Sequence, residues 1–369
     1  MGLLDYYKQF EGMSEEEVNA GLREEAAERR RKALTRVDTL DLSQTTWPEL
    51  PHPRIVNALT FVARRGLHQY PHMRGTDLRN ALAERHGVEP ERLVLGNGAA
   101  ELLSAATRAL LSPGHQLLTR WPSYPLYPLM ARRAHGQAVR VEGGVEELLQ
   151  AARNPDVRAI ALASPDDPSG ELLATAELER LLDGVPEGVA VLLDEALVEF
   201  AEAQPASSSL ELLERHQQLL VFRSFSKAWG LAGLRIGYVV GGPGSGELLA
   251  ELEPDLGVSE LSQAGALEAL RSCSALVDER IAAIRAERPR VIAGLRSLGF
   301  DVSDSQANFV WAAHPSLAGS ELAARLAQTG VLVAAGDALG EPQHVRIALR
   351  SARASDRLLD AVEKALSEG

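Results

Sequence analysis

Lys227 sits in the run Ser224-Phe225-Ser226-Lys227-Ala228-Trp229-Gly230-Leu231-Ala232-Gly233-Leu234-Arg235. The run follows a strand-like stretch, Leu219-Leu220-Val221-Phe222-Arg223, and leads into a second apolar stretch from Ile236 to Gly242. A lysine on a loop after a buried strand, with hydroxyls beside it and an arginine further on, has the parts needed to hold a phosphorylated aldehyde. The amine forms the imine, and the Ser224 and Ser226 hydroxyls and the Arg235 guanidinium hold the phosphate. This is the chemistry of a Schiff base to pyridoxal 5′-phosphate.

Other segments supply complementary groups in order along the chain. Gly96-Asn97-Gly98-Ala99-Ala100-Glu101 follows a strand-like Arg92-Leu93-Val94-Leu95 and opens an apolar-periodic run, Leu102 to Leu111. A strand, a glycine turn and a helix N-terminus place backbone N–H groups at Ala99 and Ala100 where a phosphate binds well. Ser164-Pro165-Asp166-Asp167-Pro168-Ser169-Gly170 ends the run Arg158 to Ala163, and Asp194 ends the run Val189 to Leu193. Side chains at the carboxyl ends of strands are where an open α/β sheet takes its ligand.

These elements imply an alternating strand–helix order from residue 38 to about 245, hence a mainly parallel sheet. Strands are expected at 92–96, 115–119, 137–141, 157–163, 189–193, 219–223 and 235–241. A helical region, 260–298, then leads to a smaller α+β part with strands near 308–312, 331–334 and 344–349. The chain of 369 residues exceeds one ordinary core. The expected division is an N-terminal helical segment at 1–40, a large domain at 41–255 and a small domain at 256–369. Ser14 begins a possible capping box on a charged helix over 14–35.

A formal charge of −13 argues against a nucleic-acid or anionic-membrane partner. The single cysteine, Cys273, excludes an internal disulfide and gives no metal cluster; it is expected on a helical stretch. No apolar run approaches the roughly 18 residues of a membrane span, and no basic-then-apolar leader opens the chain, so a cytoplasmic protein is expected.

The motifs together resemble the class I/II aminotransferases of pyridoxal-phosphate fold type I, nearest the histidinol-phosphate aminotransferase branch. The resemblance covers roughly residues 38–366. It implies an α/β fold with a mainly parallel central sheet, a homodimer with composite sites, and an amino acid and a 2-oxo acid as substrates. It implies that Lys227 carries the cofactor and then acts as the base at the substrate Cα. Asp194 faces the pyridine nitrogen, although an aspartate here is also a common helix cap. Tyr124 stacks on the ring, and Tyr70 reaches the phosphate bound by the neighbouring subunit. Arg346 grips the substrate α-carboxylate, with Arg350 and Arg353 close in sequence. Asn308 lines the substrate entrance or serves as a structural amide. Trp47 and Trp229 shape an apolar or aromatic side-chain pocket, or serve as core tryptophans.

The chain also departs from that family's pattern. Leu197 stands where a tyrosine donates to the cofactor O3′, and Asp167 where an asparagine does the same. An ionised aspartate only accepts hydrogen bonds, so Asp167 must be protonated, turned away or bridged by water. Ala100 leaves only main chain at its position. Ala334 replaces the arginine that holds a substrate phosphate, and Thr45-Thr46-Trp47-Pro48 replaces an aromatic Asn-Pro-Tyr segment. Two other readings stay open: a decarboxylase or lyase on the same scaffold, and a non-catalytic pyridoxal-phosphate-binding protein. The acidic first 40 residues are too short for a DNA-binding winged helix.

Overall fold

A computed structural model describes residues 39–367. The helix expected over 14–35 lies outside them. The main sheet has seven strands: β1 (Leu93–Gly96), β2 (Gln116–Arg120), β3 (Gln137–Val141), β4 (Val157–Ala163), β5 (Ala190–Asp194), β6 (Leu219–Ser224) and β7 (Gly237–Gly241). Their order is β1-β7-β6-β5-β4-β2-β3. Six strands run one way, and β7 lies antiparallel between β1 and β6. The sheet is therefore mainly parallel, as its run order implies.

The central strands are nearly continuous apolar runs because helices cover both of their faces. β6 is buried along its whole length, and in β5 only Asp194 is partly open. The core joins Leu117, Ala161, Leu192, Phe222 and Val239 to helix α2 (Ala99–Leu110) through Leu102, Leu103 and Ala106. Its Leu/Ala composition suits a helix interior, and those three residues form the stripe that faces the sheet.

A second sheet, antiparallel, has the order β10-β11-β9-β8, from β8 (Asp301–Val302), β9 (Phe309–Ala313), β10 (Ala334–Ala335) and β11 (His344–Ala348). The run expected as one strand near 331–334 divides. Val331–Leu332 is a separate two-residue strand, and only Ala334 and Ala335 pair with β11. The Leu42 N–H donates to the Leu332 carbonyl, and the Leu42 carbonyl accepts from Ala348, so the start of the described chain is stitched to this second sheet. The 260–298 region is two helices, α4 (Glu260–Ser272) and α5 (Ser274–Ser297). They break at the buried Cys273. None of the described helices is long and apolar enough to cross a membrane.

Candidate active site

One cleft of about 200 Å³ is lined by Ala99, Ala100, Tyr124, Asp167, Asp194, Ser224, Ser226, Lys227 and Arg235, together with Thr46 and Leu197. Every cofactor residue expected from the sequence lines it except Tyr70, which is 82% exposed elsewhere on the chain.

Strand ends and a pinned turn position these groups. β5 delivers Asp194 and β6 delivers Ser224 at their carboxyl ends, and Lys227 follows on the next loop. The loop is held at both ends. The Phe225 N–H donates to the Ile236 carbonyl at 3.2 Å, Leu231 donates to Phe225 at 2.9 Å, and Gly230 donates to Lys227 at 3.0 Å. Phe225 and Trp229 pack together with ring centroids 5.4 Å apart, and both are buried. Trp229 is thus an anchor of the loop and lies outside the cleft lining.

Lys227 Nζ donates to the hydroxyl of Thr45, which is buried. Burial pushes the Lys227 amine below the usual lysine range; the Asp167 and Asp194 carboxylates oppose that shift. A neutral amine is the nucleophilic form, so burial favours imine formation. Asp194 accepts the Ala196 N–H at 3.0 Å and the Tyr127 hydroxyl at 3.3 Å. Burial pushes its carboxyl up to about 6, against the stabilising effect of those two donors and of Lys227. Tyr124 meets Tyr127 edge-on, with centroids 5.6 Å apart. Burial and the two nearby carboxylates push the Tyr124 phenol up to about 12, so it stays protonated.

The phosphate end is open main chain. No side chain caps the start of α2, where Gly98 has φ +95°. A Cβ on Gly98 would lie 2.4 Å from Arg235 Nη2, and one on Gly237 would lie 2.5 Å from the Ala99 nitrogen. Both positions require glycine for this close approach. Arg235 itself adopts a left-handed φ of +51°. Among the described residues, its guanidinium meets only the Ala232 and Asn97 carbonyls, at 3.2 and 3.4 Å. A helix N-terminus, two serines and an exposed arginine fit a phosphate, and a lysine and an aspartate in the same cleft fit the imine carbon and a protonated ring nitrogen. The residues present therefore fit pyridoxal phosphate.

The substrate side differs from expectation in detail. Arg346 is paired with Asp167 in a short contact, the two side chains being 14% and 12% exposed. Asp167 is turned to Arg346, one of the three ways for an aspartate to stand at this position. Its neighbour Asp166 is buried and accepts the Ser169 N–H and hydroxyl; burial pushes its carboxyl up to about 7. Asn308 is buried, and its Nδ2 donates to the Thr45 carbonyl at 2.8 Å. Trp47 lies under the Arg280 guanidinium, 4.9 Å from its ring centroid. None of the three residues expected on the substrate side, Arg346, Asn308 and Trp47, lines the cleft; Arg346 reaches it only through Asp167, which does. Arg350, four residues after Arg346, points to the carbonyls of Gln44 and Thr46.

Arg350, which the sequence leaves as a neighbour of Arg346, is a tether of residues 44–46. Two residues are not singled out from the sequence as part of the site. Tyr127 lies in the first turn of the helix Leu126–Arg133, and its ring meets that of Tyr124 just before the helix. Thr45 contacts Lys227 across 182 positions of chain, a proximity no local pattern encodes.

The fold and the cleft define a class: open-sheet enzymes with a lysine at a strand end and an aspartate one strand over. A family model for aminotransferase class I and II matches residues 37–363. The chain belongs to the aminotransferase class I and II family. It is 34% identical to an aromatic amino acid aminotransferase of Corynebacterium efficiens, over 88% of this chain and 93% of that protein. It is 35% identical to histidinol-phosphate aminotransferase 1 of Mesorhizobium japonicum, over 80% of this chain and 82% of that one. Among solved structures, the histidinol-phosphate aminotransferase of Sinorhizobium meliloti in complex with pyridoxal 5′-phosphate shares the fold, with a TM-score of 0.80, 24% identity and coverage of 93% and 94%.

Proposed function

We propose that this protein is a pyridoxal-phosphate-dependent aminotransferase that moves an amino group from an aromatic or other neutral amino acid to a 2-oxo acid. The observation that carries this reading is the convergence of Lys227, Asp194, Ser224, Ser226 and Arg235 on one cleft. When bound, the cofactor supplies an aldehyde that accepts the amino group and a ring that withdraws electrons from the reacting carbon.

The chain's own groups do the rest. Ser224, Ser226, Arg235 and the N–H groups of Ala99 and Ala100 hold the phosphate. Asp194, kept in place by Tyr127 and Ala196, holds a proton on the ring nitrogen. The Lys227 amine would take the proton from the donor Cα, and Thr45, which accepts its hydrogen bond, would orient that amine. Tyr124 covers the ring and excludes water. Arg346 receives the donor's α-carboxylate.

One observation supports an aromatic or neutral donor over a phosphorylated one. Ala334, which pairs with Arg346 in the β10–β11 register, stands where the histidinol-phosphate branch carries a phosphate-binding arginine and brings no cation there. The relatives are named for both kinds of donor. We further read 41–255 and 256–369 as a large and a small domain, and the working unit as a homodimer. Val56, Phe61, Leu67, Tyr70 and Met73 are all exposed between residues 56 and 73. We take this exposed apolar segment as the contact with a second copy, the arrangement in which Tyr70 would serve the partner's site as the resemblance implies.

The test is a single-turnover absorbance scan of the loaded protein against tyrosine, phenylalanine, histidinol phosphate and a panel of neutral amino acids. Conversion to the aminated cofactor, reversed by a 2-oxo acid, is the expected result and identifies the donor. Release of carbon dioxide or ammonia without the aminated cofactor replaces this reading with a decarboxylase or lyase.

A further inference from the structure

The pairing of Asp167 with Arg346 bears on how tightly a substrate carboxylate binds, on the premise that Arg346 is the carboxylate site. Arg346 Nη1 donates to Asp167 Oδ1, and both side chains are largely buried. Among the described residues, the buried Arg346 Nε has no partner. The guanidinium stands 5.5 Å over the Phe309 ring, on a strand whose register sets Trp311 and Ala334 beside it. Asp167 lines the same cleft as Lys227. A guanidinium that already holds a buried carboxylate is a poor anion site, because an incoming carboxylate must displace the first or share the cation with it at close range. Removing one partner of such a pair leaves the other charge uncompensated and ready to accept a replacement.

The geometry points to Asp167 as an internal occupant of the substrate-carboxylate site. Its carboxylate competes with the donor's α-carboxylate for Arg346, and so weakens every donor that binds through that group. An incoming carboxylate gains little at this site while Asp167 holds the guanidinium. The penalty is common to all amino-acid donors, so the ranking among them rests on the apolar area each side chain buries.

The experiment is calorimetric titration of the pyridoxal-phosphate-loaded protein with 3-phenylpropionate, which has the carboxylate and the ring but no amino group to react. 3-Phenylpropionamide is the neutral counterpart. The variants are Asp167→Asn, Asp167→Ser and Arg346→Ala, each checked by thermal melting. In the unmodified protein, competition requires that the carboxylate bind no more tightly than the amide. In Asp167→Asn and Asp167→Ser, the carboxylate tightens about ten- to a hundredfold while the amide changes little. Arg346→Ala abolishes that gain when combined with either.

A carboxylate that binds the unmodified protein tenfold more tightly than the amide overturns the proposal, even if neither Asp167 variant folds. So does an equal gain for both ligands, which would mark a change of space rather than of charge. If Asp167→Asn binds the carboxylate no better while Arg346→Ala weakens it, competition is wrong and the role of Arg346 stands. If Arg346→Ala leaves carboxylate binding unchanged in every background, the role of Arg346 falls and the inference with it.

Discussion

The cradle side of the cleft, from Ala99 to Arg235, and the strap side, formed by residues 44–47 with Asp167 and Arg346, handle charge in opposite ways. On the cradle side the phosphate-facing groups are left open. Among the described residues, the start of α2 has no side-chain cap and Arg235 meets only two backbone carbonyls. On the strap side the strong groups are engaged within the chain. Arg346 holds Asp167, Arg350 holds the Gln44 and Thr46 carbonyls, and Asn308 holds Thr45. Open donors suit a ligand that stays bound for many turnovers and satisfies them. Internally paired groups suit a ligand that enters and leaves, because the site is satisfied in both states. On the proposed function, the resident cofactor belongs to the first side and the exchanging substrate to the second.

The largest effect is expected where the two sides meet. Lys227→Ala removes the imine and the proton carrier together. Transamination should fall by at least about 10⁴-fold, while the protein still takes up pyridoxal phosphate through its phosphate groups. Borohydride reduction checks this: the label becomes covalent in the unmodified protein and stays removable in the variant. Asp194→Ala attacks only the cradle side. It should lower kcat by about 10²- to 10³-fold and leave KM for the donor nearly unchanged, which steady-state kinetics would show.

Asn308→Ala strikes only the strap side. Losing the bond to the buried Thr45 carbonyl should cost about 1–3 kcal/mol of stability in urea unfolding. It should raise KM for the donor more than it lowers kcat; an unchanged KM would count against the strap as part of the substrate side. Tyr127→Phe is the smallest change. The Tyr127 hydroxyl stabilises the ionised Asp194, so its loss raises the Asp194 carboxyl above its present position of about 6. A raised value means the ionised form is lost at a higher pH as the pH falls. The acid limb of cofactor uptake by the apo-protein should shift upward, by an amount equivalent to about 1 kcal/mol.

The same contrast explains what could be read from the chain. β3 and β4 fall on the residues expected, since buried parallel strands are written as short apolar runs closed by turn residues. The cradle was readable because its groups lie at strand ends and helix starts, each marked by local residues such as Gly98, Asp194 and the Lys227 loop. The strap side was less so. Asp167 and Arg346 are 179 positions apart, and Lys227 and Thr45 are 182 apart. The departure at Asp167 was evident from its type, but its partner came only from the packing of the second sheet against the loop after β4. The division at 331–335 has a similar cause. Val331–Leu332 and Ala334–Ala335 belong to different sheets, and an apolar run carries no mark of which neighbour each half will meet.

Arg350 and Asn308 grasp the strap by the carbonyls of Gln44, Thr45 and Thr46 and make no use of the side chains of Gln44 or Thr46. Thr46 nonetheless lines the cleft. Its side chain is therefore free to vary while its backbone stays fixed. In laboratory evolution position 46 is the natural place to randomise for a new donor, because a library there samples the wall of the pocket without loosening the tether that holds it.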